Sequence, residues 1–220
     1  MNTLFEKSIR TLELPAVLSM LAALAVSDAA KEKCRSMMPV CDLEEAKRLQ
    51  EEKGYSVKED AGRGWRRVVA SPQPVEIVEL PVVKAMIDNG FVVITVGGGG
   101  IPVIRNENGD LEGTAAVIDK DLASERLSED IDADALLILT AVEQVCLNYG
   151  KPNEQRLSHI TVADCERYIE EKHFAPGSML PKIQAAMKFA SSKEGRRAII
   201  TSLDKAVDAL AGKAGTVITL

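Results

Sequence analysis

The sequence predicts an α/β protein built on a mainly parallel open sheet. Apolar, β-branched stretches alternate with helical stretches over most of the 220 residues, which is the layered α/β pattern. Phe91-Val92-Val93-Ile94-Thr95-Val96 is apolar or β-branched almost without a break. Such a run reads as a strand buried on both faces, at the centre of a parallel sheet. Gly97, Gly98, Gly99 and Gly100 follow at once, and then Ile101-Pro102-Val103. Glycines at the carboxyl end of such a strand let a ligand approach the backbone with no Cβ in the way. Their N–H groups can form an anion-binding nest. In open α/β sheets, ligands bind in the crevice at the strands' carboxyl ends.

Composition narrows the class. At 46% hydrophobic and 27% charged residues, the chain can build one sizeable core, with a small appendage at most. The 4% aromatic share leaves aliphatic packing to do so. A net charge of −6 does not indicate a nucleic-acid or anionic-membrane surface. Cys34, Cys41, Cys146 and Cys165 form no Cys-x-x-Cys pair, and His159 and His173 stand far from a ligand spacing. No metal site is predicted, and reduced thiols in a cytoplasmic protein are expected. The apolar run from Ala16 to Val26 is too short to span a bilayer. Glu6 and Glu13 among Lys7 and Arg10 argue against a signal peptide.

The elements follow in order. Leu14-Pro15 opens a helix whose Val17, Leu18, Leu21, Leu24 and Ala25 would form one buried face. Asp42 is an N-cap for a helix over 43–53 that stops at Gly54. Lys58 to Arg67 is a loop entering a short strand. Its three arginines lie near a Trp65 expected to be buried and are assigned to salt bridges with Glu59 and Asp60. Ser71-Pro72-Gln73-Pro74 is an extended connector. A short helix over 82–89 ends at Gly90, and the glycine strand follows. Asn106 to Asp110 is turn chemistry and predicts a hairpin.

Ala115-Ala116-Val117-Ile118 reads as a strand, and a helix carrying Leu122, Leu127 and Ile131 follows it. Ala135 to Leu139 and Val145 to Leu147 are further strands. Thr161-Val162-Ala163-Asp164 resembles a capping box. Pro176-Gly177-Ser178 starts a helix through Phe189, taken to reach Lys193. Ala198 to Thr201, a helix capped by Ser202, and Val217 to Thr219 complete the chain.

Three groups carry chemistry. The glycine run is one. It is no dinucleotide fingerprint, because Pro102 stands three places after Gly99, where glycine is needed. Asp119-Lys120-Asp121 sits past a strand end, at a helix start. Lys182 lies in a helix's first turn, where free N–H groups and the dipole favour an anion. Two lysines and a glycine nest suit phosphoryl transfer, in which the protein positions reactants and neutralises charge.

Four words extend this reading: Glu59-Asp60-Ala61-Gly62-Arg63-Gly64-Trp65-Arg66-Arg67-Val68-Val69, Val96-Gly97-Gly98-Gly99-Gly100-Ile101-Pro102-Val103, Val117-Ile118-Asp119-Lys120-Asp121-Leu122-Ala123-Ser124, and His173-Phe174-Ala175-Pro176-Gly177-Ser178-Met179-Leu180-Pro181-Lys182. In this order they resemble the carboxyl-terminal part of carbamate kinase, a branch of the amino-acid kinase family, from about residue 43 to the end. The resemblance implies a three-layer αβα sandwich, Mg2+ with ATP or ADP, and reversible phosphoryl transfer between ATP with carbamate and ADP with carbamoyl phosphate. It also implies a cytoplasmic homodimer. By the same resemblance, Gly97 to Gly100 would lie against the transferred group, and Lys120 and Lys182 would neutralise phosphate charge. Asp121 would hold lysine side chains in place. Thr140, Ala141, Val142, Tyr149, Lys151, Gly177, Ser178 and Met179 would border the nucleotide.

Residues 1–42 depart from that pattern, since no strand ending in Gly-Gly-Asn occurs. Thr11-Leu12-Glu13-Leu14-Pro15 and Asp42-Leu43-Glu44-Glu45 are instead similar to the amino-terminal segment of a MutS-type bacterial endonuclease. The expectation is a helical segment over 1–42 joined to a carbamate-kinase-like domain over 43–220. The alternative to an active kinase is a nucleotide-binding remnant with a structural role.

Overall fold

The computed structural model describes residues 17–19, 23–26, 34–36, 40–59 and 62–220. They form two compact units, Met1–Lys120 and Asp121–Leu220. Among the described residues no helix is long and apolar enough to cross a membrane.

The first unit opens with β1 (Val17–Ser19), β2 (Ala23–Val26) and β3 (Cys34–Ser36). Helix α1 (Leu43–Lys53) follows. The Asp42 carboxylate accepts the Glu45 N–H at 2.9 Å, and Gly54 ends the helix. Next come β4 (Val57–Glu59), β5 (Trp65–Ala70), β6 (Pro74–Ile77), α2 (Leu80–Asp88), β7 (Val92–Ile94), β8 (Ile101–Arg105) and β9 (Leu111–Gly113). Asn106 makes the β8–β9 turn: its Oδ1 accepts the N–H groups of Asn108 and Asp110 at 3.0 and 2.9 Å. One sheet has the order β6-β2-β8-β9, β5 lies between β3 and β4, and β1 pairs with β7.

Several expectations change here. The helix read over residues 15–26 is replaced, where described, by β1 and β2. β1 lies parallel to β7, and β2 joins β6 and β8. Leu and Ala are strong helix formers, but intrinsic propensity is a small term, and hydrogen bonding to strands far along the chain overrides it. The described parts of residues 1–42 thus belong to the unit's sheets rather than to a separate helical segment. Pro15, Leu21, Asp60, the charges at positions 6 to 13 and the Thr11–Pro15 word lie outside the described residues.

Strand β7 has three residues, and Ile94 is 40% exposed. It is not a central strand buried on both faces. Ala115 to Ile118 forms no strand: Ala116 makes a single parallel bridge to Ala70. Trp65 is half-buried rather than buried. Arg67 stacks its guanidinium 3.8 Å from the Tyr55 ring centroid, a cation–π contact.

The second unit contains α3 (Lys120–Asp130), which begins at the boundary, then β10 (Ala135–Thr140), β11 (Val145–Leu147), β12 (Gln155–Leu157) and β13 (His159–Thr161). Helices α4 (Val162–Glu170) and α5 (Met179–Ser191) lead to β14 (Arg197–Ser202). A 3-10 turn, Leu203–Lys205, runs into α6 (Ala206–Leu210), and β15 (Thr216–Thr219) ends the chain. Ser202 makes no side-chain cap bond. Thr161 and Asp164 form the expected reciprocal capping box.

The main sheet has the order β10-β14-β15-β13. Two of its three pairings are parallel, and β14–β15 is antiparallel. Ile183, Ala186 and Phe189 of α5 are fully buried and join Ala198 and Ile200 of β14 in the core. Burying such an Ile or Phe side chain stabilises by roughly 1.5–3 kcal/mol. Strand alternation puts Ile199 and Thr201 on the opposite face, and both are buried too. α6 packs on β14 and β10. The result is a mixed α/β architecture, with helices against a mainly parallel sheet.

Candidate functional site

In the first unit, the glycine run forms a turn after β7 in which Gly99 donates its N–H to the Val96 carbonyl at 2.9 Å. Gly99 has φ +96°, and a Cβ there would lie 2.2 Å from the Ile118 carbonyl oxygen. Only glycine fits that backbone approach. A Cβ on Gly97 or Gly98 would meet nothing within 4 Å. Gly99 therefore packs the turn against the segment entering Asp119 and Lys120, while Gly97 and Gly98 are exposed. Asp119 is buried and Lys120 exposed.

In the second unit, Lys182 Nζ donates to Asp121 Oδ2 at 2.8 Å, and each side chain is 11% exposed. Asp121 occupies the first turn of α3, and Lys182 the first turn of α5. Two further ion-paired rungs continue away from these helix starts. Lys188 Nζ donates to Glu125 Oε2 at 2.8 Å. Lys193 and Arg196 both donate to Asp132, at 2.8 and 2.7 Å. Acids from 121–132 thus pair in order with bases from 182–196 and fix α3 on α5. Lys193 lies beyond α5, which ends at Ser191, rather than on it. Burial pushes the Glu125 carboxyl up to about 7, reinforced by Glu129 and opposed by Lys188.

A cavity of about 580 Å3 opens in the same unit. Thr140, Ala141, Val142, Tyr149, Lys151, Ser178 and Met179 line it, as do Cys146, Asn148 and residues 171–176; Gly177 does not. Asp121 and Lys182 are not among the lining residues. One wall follows β10 and the β11 hairpin; the other is the turn from α4 into α5. That turn is built by His173, whose ring meets Tyr168 edge-on and whose Nε2 lies 3.0 Å from Glu171 Oε2. Lys172 beside it has φ +59°, uncommon for a residue with a Cβ. Burial first, and Glu154 second, raise the Cys146 thiol above its ordinary range. A mostly apolar wall with a few lysine and amide groups suits a base and ribose. Residues 171–172, Cys146 and Asn148 carry no motif of their own; the available signal was adjacency, to the word opening at His173 for the first two and to Tyr149 for the others.

Residues 23–202 match the sequence model of the amino acid kinase family. The match begins earlier than the boundary near residue 43 expected from the motifs. A carbamate kinase-like protein of Escherichia coli is 62% identical over 175 residues, covering 80% of this chain and 56% of that protein. The carbamate kinase of Clostridium perfringens is 59% identical over 174 residues, 79% of this chain and 55% of that enzyme. This chain thus spans little more than half the length of these curated relatives. A structure of carbamate kinase from Giardia lamblia bound to AMP-PNP is 40% identical with a TM-score of 0.85, covering 97% of this chain and 69% of that one. The family match over residues 23–202 and the identity to carbamate kinases lead to one conclusion: the chain belongs to the amino acid kinase family.

Proposed function

We propose that the chain carries the nucleotide half of a carbamate-kinase-type phosphotransferase. Its reaction is reversible: carbamate attacks the γ-phosphorus of ATP, the bond to the β-phosphate oxygen breaks, and carbamoyl phosphate and ADP leave. The observation that carries this is the cavity lined by Tyr149, Lys151, Ser178 and Met179 in the unit that also holds Lys182. The cavity takes the nucleoside, and Gly97 to Gly100 take the transferred phosphoryl group. Lys120 and Lys182 neutralise phosphate charge, and Asp121 keeps the Lys182 ammonium in place. Mg2+ would come with the nucleotide and would offset phosphate charge there. The reaction is placed in the cytoplasm and in a homodimer, and sedimentation tests the latter.

ATP formation from carbamoyl phosphate and ADP tests turnover. A second reading, nucleotide binding without turnover, is favoured by Asp121 and Lys182 lying outside the cavity lining. Calorimetry with Mg-ADP separates the two. Lys182→Ala should weaken ADP about tenfold or more, since a charge-assisted contact is worth about 1.5–3 kcal/mol. Lys193→Ala, already satisfied by Asp132 on the surface, should change it less than about twofold. Equal losses would move the phosphate site elsewhere.

A further inference from the structure

Part of the cavity wall is the β11–β12 hairpin, a two-stranded piece separate from the main sheet. Its second strand runs through Ser158, whose carbonyl accepts the Val217 N–H at 2.9 Å, into β13 of that sheet, and two side chains add to this tie. Thr216, the first residue of β15, is fully buried. Its Oγ1 accepts the Val145 N–H at 2.8 Å and donates to the Leu157 carbonyl. Val145 and Leu157 are register partners across the hairpin. A single hydroxyl therefore binds both hairpin strands to β15. Just before them in sequence, Gln144 Nε2 donates to the Gly215 carbonyl at 3.1 Å. Gly215 has φ +84°, and a Cβ there would stand 3.0 Å from the Ile200 carbonyl oxygen, so the chain enters β15 hard against β14.

Val145 and Leu157 also pack into the apolar core. Apolar packing is non-directional: it sets how deep the hairpin sits but not its slide or angle. The two hydrogen bonds to Thr216 are directional and supply that constraint. Beyond β11 the same backbone presents Asn148, Tyr149 and Lys151 to the cavity. We infer that Thr216 is a positioning residue for the cavity, holding the hairpin wall where a bound nucleotide meets it. This rests on the nucleotide reading above. Small displacements of positioning groups have large effects on a bound ligand.

Thr216→Val keeps the shape and removes the hydroxyl; Thr216→Ser keeps the hydroxyl. Both are compared with wild type at a temperature where circular dichroism shows all three folded. Hydrogen exchange of peptide 144–158 reads the hairpin, and calorimetry with Mg-ADP reads the cavity. The valine variant should exchange faster across 145–157 and bind ADP about fivefold or more weakly, with serine within about twofold of wild type. Unchanged exchange overturns the inference, and so does loosened exchange with unchanged affinity, which would make Thr216 merely structural. If the valine variant does not fold, Thr216→Cys, whose thiol hydrogen-bonds only weakly, replaces it; affinity weaker by about twofold or more supports the inference, and unchanged affinity overturns it. Wild-type protein that binds no ADP removes the nucleotide reading and this inference with it; wild-type binding that the variants leave intact removes this inference alone.

Discussion

Asp121→Asn should destabilise the second unit more than Lys182→Met does. The two charges stand 2.8 Å apart and are almost wholly out of water. At an effective dielectric near 20, charges this close attract by about 6 kcal/mol, most of which offsets their desolvation. Breaking such a pair by removing one partner costs about 3–5 kcal/mol. The two removals are not equivalent, because both residues sit in first turns of helices. Asp121→Asn leaves a buried ammonium at the positive end of α5. Lys182→Met keeps the aliphatic stem and leaves a carboxylate at the positive end of α3, where the dipole returns up to about 2 kcal/mol. The asparagine variant should therefore lose about 3–5 kcal/mol and the methionine variant about 1–3 kcal/mol. Urea unfolding followed by helical circular dichroism measures this; Trp65, the single tryptophan, lies in the other unit. Equal losses, the reverse order, or losses under about 0.5 kcal/mol in both would refute the reasoning.

Three other outcomes are expected. Gly99→Ala should cost about 1–3 kcal/mol from its positive φ and the clash with Ile118, whereas Gly98→Ala should leave stability nearly unchanged; thermal melts decide. The raised Glu125 carboxyl makes stability fall as pH rises. From its ordinary 4.5 to about 7 the folded state holds a proton that the unfolded chain releases, so the decline approaches about 1.4 kcal/mol per pH unit. Glu125→Gln should flatten the stability profile between pH 5 and 7, about the window those values span, and an unchanged slope counts against the assignment. Burial pushes the Cys165 thiol up to about 12, so at pH about 8 iodoacetamide should spare it in the folded chain and label half-buried Cys41 ahead of it, as peptide mass spectrometry can read.

The sequence by itself determined the elements whose signals are local. Asp42 caps α1 through a group three residues on, Asn106 closes its hairpin within four, and Thr161 and Asp164 cap each other across three. Side-chain bonds to nearby backbone compete well with other conformations, so they show in short words of sequence. The Pro176-Gly177-Ser178 word marked the α5 start, although Ser178 makes no side-chain cap bond, and with it the place of Lys182 in the first turn. Tertiary structure alone decided the rest. It turned a Leu- and Ala-rich segment into β1 and β2 by giving each a strand to pair with. It left Ala115 to Ile118 outside any strand by giving them one bridge instead of a ladder. The long-range bonds on which the candidate site rests join residues 61 and 71 positions apart: Lys182 to Asp121, and Thr216 to Val145. No periodicity or cap encodes such a pair, because its partners become neighbours only when the sheet brings the helix starts and the hairpin together.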